Sequence, residues 1–559
     1  MLPRPQEHLR ASPTGLFRGR SNWLESLAAL LLLQLAACGV APSNNALRLS
    51  IPGDPATFDP LRESDENSGV VLALTGGRLL HIDAITNEVQ PELAESWTVD
   101  PAARSITFRL RSGLKFSNGA ALTADDVART LRRVFDPVNA SPVGDPFRSS
   151  QGFPAIEVES PQKITIRYAA TKAGLERLFD QVYIAPDGQP AAAQKSPLPV
   201  PSAGPFFVAE YRAGEAVVLK RNPYYWKHDS AGRRLPRMDS IRLDIQSNRD
   251  IEIARFLRGE TNMIRKLDPE GFNRVLKEKP SAARDLGPSM DAEFLWFNES
   301  PGVMPEWKRK WFTSAAFRHA ISAAIDRQDI ARIAYLNHAH PAAGPLSSAN
   351  RYWFNSELKP LPFDRDLAIR TLSAAGFTLS NGTLRDQAGH TVEFSMITNA
   401  GNTTRQQVAA LIQADLSKIG IRVGIVALDF GSLMERIGKT SEYDACLLGF
   451  TNMAVDPIDQ MNFWLSSGST HAWWPQQKMP ATDWEARIDR LVLAQASEPS
   501  EEKRRVAFNE VQRIMVEQEP VVYLVNPDFL FAADPLIRGM RPSPLFPQEL
   551  AGIEAVSLN

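Results

Sequence analysis

Pro91–Pro137 reads PELAESWTVDPAARSITFRLRSGLKFSNGAALTADDVARTLRRVFDP and contains a strand, turns and a helix in close succession. Ser105–Leu110 alternates apolar and polar side chains, which predicts a half-buried strand. The Ser-Asn-Gly sequence at Ser117–Gly119 predicts a turn. Thr123 is typical of a helix N-cap, and apolar residues at helical spacing continue from there to Asp136. The stretch therefore predicts a strand hairpin that leads into a capped amphipathic helix.

The composition of the whole chain is that of a globular protein with more than one domain. Its 559 residues are 43% hydrophobic and 23% charged. Because a single hydrophobic core stops growing at about 250–300 residues, this length predicts two to four domains. The formal net charge is only −2, so charge gives no reason to expect nucleic acid as a partner.

The N-terminus has the pattern of an export signal. Several arginines precede Leu27–Ala37, an apolar run that is too short to span a bilayer. The run ends in Leu35-Ala36-Ala37-Cys38-Gly39, which resembles the lipobox of bacterial lipoproteins. We therefore expect residues 1–37 to be a signal peptide, Cys38 to be the lipidated residue and residues 38–45 to be a tether. A plain secretory signal with an incidental cysteine is the alternative. Cys446 is the other cysteine and lies in an apolar stretch, as expected of a core residue.

Several motifs of this chain resemble those of one protein family. The pattern Phe108–Gly119, with Leu93–Trp97 before it and Leu122–Val127 after it, is similar to a signature of the extracellular solute-binding proteins of the peptide/nickel type, family 5. These proteins are the receptors of a class of ABC importers. Asn222-Pro223-x-Tyr225-Trp226 and the strand Glu293–Asn298 match later landmarks of that family.

The resemblance implies a fold and a division into domains. The expected fold is α/β and two-lobed, periplasmic-binding-protein-like (type II, cluster C), with an extra domain on the first lobe. Helices that end at glycine before apolar strands, as at Gly420, suit an α/β lobe. The expected division assigns 46–80, 197–292 and 520–559 to lobe I, 81–196 to the additional domain and 293–519 to lobe II. We expect two separate strands, Val521–Val525 and Phe529–Ala532, near the end of the chain.

A search for catalytic motifs gives no support for an enzyme. The sequence has no Gly-x-Ser-x-Gly, no phosphate loop and no His-Glu-x-x-His. His338-x-His340 offers two imidazoles but no further ligand at metal-binding spacing, so a polar loop is the preferred interpretation. We therefore predict that the protein has no catalytic residues, no cofactor and no metal site.

The ligand site is expected in Gly449–Asp459, GFTNMAVDPID. The resemblance implies that an aspartate here accepts the free amino terminus of a peptide in the peptide-binding members. Aligned on Asp456-Pro457, this chain has Met453 at that aspartate's position, and a thioether cannot pair with an ammonium ion. We therefore expect a ligand without an obligatory free amino terminus, unless Asp456 or Asp459 takes over or the alignment slips. The candidate ligand-binding residues are Phe450, Thr451, Asn452, Met453 and Asp456.

The resulting functional prediction is a substrate-binding lipoprotein of an ABC importer. It is expected to be exported and membrane-anchored on the periplasmic side, to act as a monomer, and to pass a peptide or other small molecule to a permease with its ATPase. No nucleic acid partner is expected. A ligand-sensing lipoprotein and an oligosaccharide or other non-peptide receptor are the alternatives, and a secreted hydrolase is disfavoured because no nucleophile or metal constellation is present.

Overall fold

One 13-residue strand near the C-terminus organises the largest sheet of the molecule. The computed structural model describes residues 45–63, 65–100, 102, 104–139, 141–147, 152–186, 200–451, 455–475 and 477–558. In chain order the strands are β1 (Ala46–Ile51), β2 (Leu80–Ile82), β3 (Val89–Pro91), β4 (Ala94–Val99), β5 (Ser105–Leu110), β6 (Ala155–Ser160), β7 (Lys163–Arg167), β8 (Phe206–Arg212), β9 (Ala216–Arg221), β10 (Ser240–Ile245), β11 (Met263–Ile264), β12 (Ala283–Pro288), β13 (Ala292–Phe297), β14 (Ala339–Pro341), β15 (Thr378–Ser380), β16 (Thr383–Arg385), β17 (Glu393–Asn399), β18 (Arg422–Leu428), β19 (Ala445–Phe450), β20 (Val521–Ala533), β21 (Ile537–Arg538) and β22 (Ser557–Leu558).

The α-helices alternate with these strands through much of the chain, as expected of an α/β protein. They are Glu66–Thr75, Ala124–Phe135, Arg249–Leu257, Pro269–Glu278, Glu306–Phe312, Ala315–Ala324, Arg327–Asp329, Arg365–Ala374, Thr403–Ser417, Phe430–Glu435, Met461–Trp464, Asp483–Ser497 and Glu501–Gln518. Many begin at a predicted type of cap. Thr123 forms a capping box with Asp126, which satisfies backbone N–H groups that the first turn leaves free.

The largest sheet has the strand order β18-β17-β19-β13-β20-β11-β1-β10-β9-β8. Its centre, β20, changes partners along its length. Val521–Val525 pairs with β13, Val525–Pro527 pairs with β14, and Asp528–Ala532 pairs with β12, all antiparallel. The two strands expected at the end of the chain are therefore one continuous strand, and that expectation was wrong. Pro527 does not interrupt it, because its carbonyl still accepts hydrogen bonds from the backbone and hydroxyl of Ser289.

Separate apolar cores pack against the N-terminal and C-terminal halves of β20. One packs the helices Ala315–Ala324 and Thr403–Ser417 on β13 and β17, and another packs the helix Glu66–Thr75 on β1, β9 and β10. A four-stranded antiparallel sheet, β4-β5-β7-β6, has its own core with the helix Ala124–Phe135. The strand Ser105–Leu110 and the capped helix predicted within residues 91–137 are part of this unit and are confirmed. The predicted hairpin was wrong, because β5 pairs with β4 and β7, and the stretch after its turn forms only an isolated bridge from Lys115 to Ala121.

Several predicted features lie outside the described residues. These are the signal peptide 1–37, Cys38, residues 39–44 of the tether, and the domain boundary at residues 196 and 197. Of the candidate ligand-binding residues, Asn452 and Met453 also lie outside them. Cys446 is fully buried in β19, which confirms its predicted place in a core.

Candidate functional site

A cavity of about 580 Å³ is enclosed by segments from distant parts of the chain. The helix Glu66–Thr75 and the short helical turn Arg177–Gln181 border one side. The loop that follows β19 borders another side with Thr451, Val455, Asp456 and Asp459, and the C-terminal segment 544–546 completes the lining. The volume falls in the range of about 300–1,000 Å³ that is typical of small-molecule sites.

Acidic side chains predominate in this cavity. Its lining includes two arginines, Arg78 and Arg177, against six carboxylates. The carboxylates are Glu63, Asp65, Glu66, Asp180, Asp456 and Asp459. The consequence for a ligand depends on which of these six are already neutralised by the protein.

Three of the six carboxylates have clear partners. Asp180 forms an ion pair of 2.9 Å with Arg78 and also accepts a hydrogen bond from the backbone of Ile82. Asp65 caps the helix Glu66–Thr75 by accepting a hydrogen bond from the backbone N–H of Ser68. Glu66 lies 2.8 Å from Lys266 Nζ. Burial opposes ionisation of Glu66, but Lys266 outweighs it, so the pKa of Glu66 is lowered.

Asp456 is also satisfied by the protein. Its carboxylate caps the short helical turn Pro457–Gln460 by accepting a hydrogen bond from the backbone N–H of Ile458. The guanidinium of Arg504 donates a short hydrogen bond to Oδ1, and both side chains are almost completely buried. Oδ2 lies 3.9 Å from Nε of Arg177. Asp456 is therefore mainly the ion-pair partner of Arg504. Only its Oδ2 atom lies on the side of Arg177, which lines the cavity.

Glu63 and Asp459 remain without a basic partner at ion-pair distance among the residues that the structure describes. Burial raises the pKa of Glu63 to about 7, and the negative charge of Asp65 adds to the shift. Burial likewise raises the pKa of Asp459 to about 7, with a further contribution from Asp456 against the opposing effect of Arg177. These two carboxyl groups are the ones that a positively charged group would stabilise.

The predicted aromatic candidate, Phe450, is mainly a packing residue. It ends β19, and its ring centroid lies 5.3 Å from that of Phe294 and 5.2 Å from that of Phe463. It also borders a second cavity of about 260 Å³. Thr451 is exposed and borders both cavities. The structure thus brings Thr451 and Asp456 to the larger cavity and Phe450 to the smaller one.

The smaller cavity contains a buried ion pair. Arg405 Nε and Nη2 donate to the two carboxylate oxygens of Glu293 at 2.8 and 2.7 Å, and both side chains are more than nine-tenths buried. This bidentate pair joins the helix Thr403–Ser417 to β13. A Cβ added at Gly449 would fall within 2.7 Å of Glu293 Oε1, so glycine is required where β19 passes this pair.

Comparison with known proteins places this architecture in a family. A family model described as bacterial extracellular solute-binding proteins, family 5 middle, matches residues 88–472. The chain belongs to this family. The family consists of solute-binding proteins rather than enzymes, and this member is the solute-binding component of an ABC importer.

Individual relatives of this solute-binding protein are distant but cover nearly its full length. It is 26% identical to the peptide transport periplasmic protein SapA of Salmonella typhimurium, over 90% of each chain. It is 26% identical to di/tripeptide-binding protein 2 of Pseudomonas aeruginosa, over 94% of this chain and 98% of that one. Its fold matches NikA from Brucella suis, solved in complex with Fe(III)-EDTA, with a TM-score of 0.78 at 22% identity, over 92% of this chain and 100% of that one.

These matches confirm the predicted family and the predicted α/β, two-lobed fold. In the described part of this solute-binding protein, no helix combines the length and apolar character needed to cross a membrane. The sequence interpretation missed four residues of the larger cavity, namely Glu63, Arg78, Arg177 and Asp180, and it also missed Arg504, the buried partner of Asp456. The burial of Arg504 could have been predicted from the sequence, because this residue shares one helical face with the apolar residues Phe508, Val511 and Met515.

Proposed function

We propose that this solute-binding protein captures a small solute that carries a positive charge and passes it to an ABC permease with its ATPase. A peptide with a free amino terminus or a basic side chain would have this property. The observation that carries the proposal is Asp459. It is a half-buried carboxyl group at the larger cavity that has no base within ion-pair distance among the described residues.

An ammonium or guanidinium group of a ligand would supply the basic partner that the described residues do not provide for Asp459. A charge-assisted hydrogen bond to an ionised carboxylate is worth about 1.5–3 kcal/mol, roughly twice a neutral one. Glu63 offers a second acceptor of the same kind from another segment of the lining. This proposal differs from the expectation based on Met453, which was a ligand without an obligatory free amino terminus. Asp459 would supply a carboxylate for the positively charged group of the ligand, which the thioether of Met453 cannot do.

The lining of this cavity is consistent with a mechanism in which ligand binding closes the two lobes. The lining combines residues near the N-terminus with residues of the loop after β19, and these segments belong to cores that contact different halves of β20. A ligand that contacts both groups favours the closed arrangement over an open one. The division into lobe I, additional domain and lobe II at the boundaries given above is part of this proposal.

We further propose that the mature chain begins at a lipidated Cys38 and acts as a monomer on the periplasmic side. The lipobox-like sequence at Leu35–Gly39 supports the anchor. Two acyl chains suffice for stable membrane attachment where one is marginal. The monomer is proposed because residues of one chain suffice to line the larger cavity, so the site needs no second copy.

Calorimetric titration with matched peptides tests the charge requirement. Free and N-acetylated di- to pentapeptides, with and without lysine or arginine, are compared with neutral oligosaccharides. We expect tight binding of the cationic peptides and a loss of affinity of about tenfold or more in Asp459→Asn, the equivalent of about 1.4 kcal/mol. Affinity is expected to rise from about pH 5.5 to about pH 8, because ionisation of a group with a pKa near 7 precedes cation binding.

Asp250→Asn is the matched control, because the Asp250 side chain is 86% exposed and lies outside the cavity lining. It should bind the same peptides with unchanged affinity. Binding that ignores both N-acetylation and Asp459→Asn would refute the proposed charge contact. That outcome would support the uncharged ligand predicted from Met453.

A further inference from the structure

Two histidines and two aspartates meet where β20 changes partners. His338 directly precedes β14 and His340 lies within it, Asp285 lies in β12, and Asp528 lies in β20 between them. Donor atoms of Asp285, His338 and Asp528 all lie within 4.8 Å of one another. The sequence interpretation treated His338-x-His340 as a polar loop, because the two aspartates are distant in sequence.

The imidazole of His338 is held in a defined orientation. Nδ1 lies 3.1 Å from Asp285 Oδ2, and Nε2 lies 3.2 Å from Asn273 Oδ1. The ring also packs edge-on against Phe272 at 4.9 Å between centroids. When Nε2–H donates to Asn273, Nδ1 is left as the nitrogen that points toward the two carboxylates. A hydrogen bond from the second ring nitrogen is the usual support of a metal-binding histidine.

The carboxylate of Asp528 is buried but incompletely satisfied. Its side chain is 5% exposed, and Oδ1 accepts no hydrogen bond from any described residue. His340 Nε2 lies 3.1 Å from this oxygen, outside hydrogen-bond geometry. A donor atom of Asp285 lies within 4.8 Å of a carboxylate oxygen of Asp528. A cation between the two carboxylates would relieve both their mutual repulsion and the unsatisfied oxygen.

We propose that Asp285, His338 and Asp528 bind a divalent transition-metal ion of the Zn²⁺ type. Imidazole nitrogen together with carboxylate oxygen suits Zn²⁺, Co²⁺ and Ni²⁺ better than Mg²⁺, which prefers oxygen ligands and retains water. A tetrahedral site with bonds of about 2.0–2.1 Å places its donors about 3.4 Å apart, so small side-chain rotations bring these three into range. His340 or water occupies the fourth position.

At this position, a bound metal ion would affect the geometry of β20. Its ligands come from β12 and β20 and from the residue that leads into β14, and Pro527 and Asp528 mark the change from one partner strand to the other. A bound ion fixes the geometry of β20 at the point where a hinge motion of the two lobes would bend it. His338 and Asp528 also border the smaller cavity, which gives an ion a route to the site.

Cobalt titration tests the proposal with a direct spectroscopic signal. The tag-free protein, first stripped with EDTA, is titrated with Co²⁺ and then with Zn²⁺. We expect one Co²⁺ per chain with the visible absorption of a four-coordinate site, displaced by Zn²⁺ and not by Mg²⁺. His338→Gln and Asp285→Asn should each weaken Co²⁺ binding by at least tenfold, and Asn273→Ala should weaken it by about tenfold through the loss of ring support.

His390→Gln is the matched control. His390 Nδ1 also lies 3.0 Å from an aspartate, Asp386, but the described residues provide no third ligand there. This variant should leave the Co²⁺ spectrum unchanged. Asp285 is partly exposed, so Asp285→Asn should fold normally, as metal-free thermal unfolding will verify. A missing spectrum, or one that His338→Gln and Asp285→Asn leave intact, would overturn the metal site.

Discussion

Replacing Arg504 by methionine removes the base that neutralises Asp456 beneath the larger cavity. Only 2% of the Arg504 side chain and 6% of the Asp456 side chain are exposed. Arg504 Nε and Nη2 also donate to Gln495 Oε1 at 3.3 and 3.2 Å, and the guanidinium lies 4.8 Å from the ring centroid of Trp353. The substitution therefore leaves a buried carboxylate and a buried amide oxygen with fewer partners.

The expected cost follows from this burial. Removing one member of a buried ion pair costs about 3–5 kcal/mol, because the remaining charge stays desolvated. Arg177 lies 3.9 Å from the other oxygen of Asp456 and offsets part of the loss, so we expect about 3 kcal/mol. The combined variant Asp456→Asn, Arg504→Met should recover about 1–2 kcal/mol, because neither charge remains.

Urea denaturation followed by tryptophan fluorescence measures this loss, with Arg505→Met as the control. Arg505 is the next residue of the same helix and lies over Tyr352 at 5.6 Å, but it is exposed. Its replacement should change the free energy of unfolding by less than about 0.5 kcal/mol.

Equal stabilities of Arg504→Met and Arg505→Met would refute the ion-pair interpretation of Asp456. A loss in Arg504→Met that the double variant does not reduce would show that packing, not charge, accounts for the effect. In that case Asp456 would return to the set of candidate ligand contacts.

Three further predictions concern the backbone, the pH dependence and the anchor. Gly468→Ala should cost about 1–3 kcal/mol in the free energy of unfolding, because a Cβ there overlaps the carbonyl oxygen of Asn462, while Gly401→Ala, in open space, should be neutral; equal urea midpoints would contradict this. The folded pKa of Asp459, about 7, exceeds the unfolded value of about 3.9, so its contribution to stability is present at low pH and is lost as pH rises through about 4 to 7. Asp459→Asn should flatten that part of the stability profile of the ligand-free protein, and an unchanged profile would count against the shifted pKa. Cys38→Ser should move the protein from the detergent phase to the aqueous phase in phase partitioning, because no acyl chains are attached, and unchanged partitioning would exclude the lipid anchor.

Local sequence rules predicted the individual elements well. The Ser105–Leu110 strand and the helix capped at Thr123 appear as expected, because alternation and capping act over at most four residues. The ordered motifs around Phe108–Gly119 also led to the correct family, which a model match over residues 88–472 confirms. The expected division between Val521–Val525 and Phe529–Ala532 was wrong, because the carbonyl of Pro527 accepts hydrogen bonds from Ser289 and the strand continues.

By itself the sequence determined the fold class, the family and the segment Gly449–Asp459 that leads to the cavity. Tertiary structure alone decided which charges are neutralised. Asp456 pairs with Arg504, which is 48 positions away in the sequence, and His338 contacts Asp285, which is 53 positions away. Asp459 obtains no such partner among the described residues. The physical reason is that ionisation and metal binding depend on distances and burial within a few ångströms, which residues far apart in the chain acquire only when it folds.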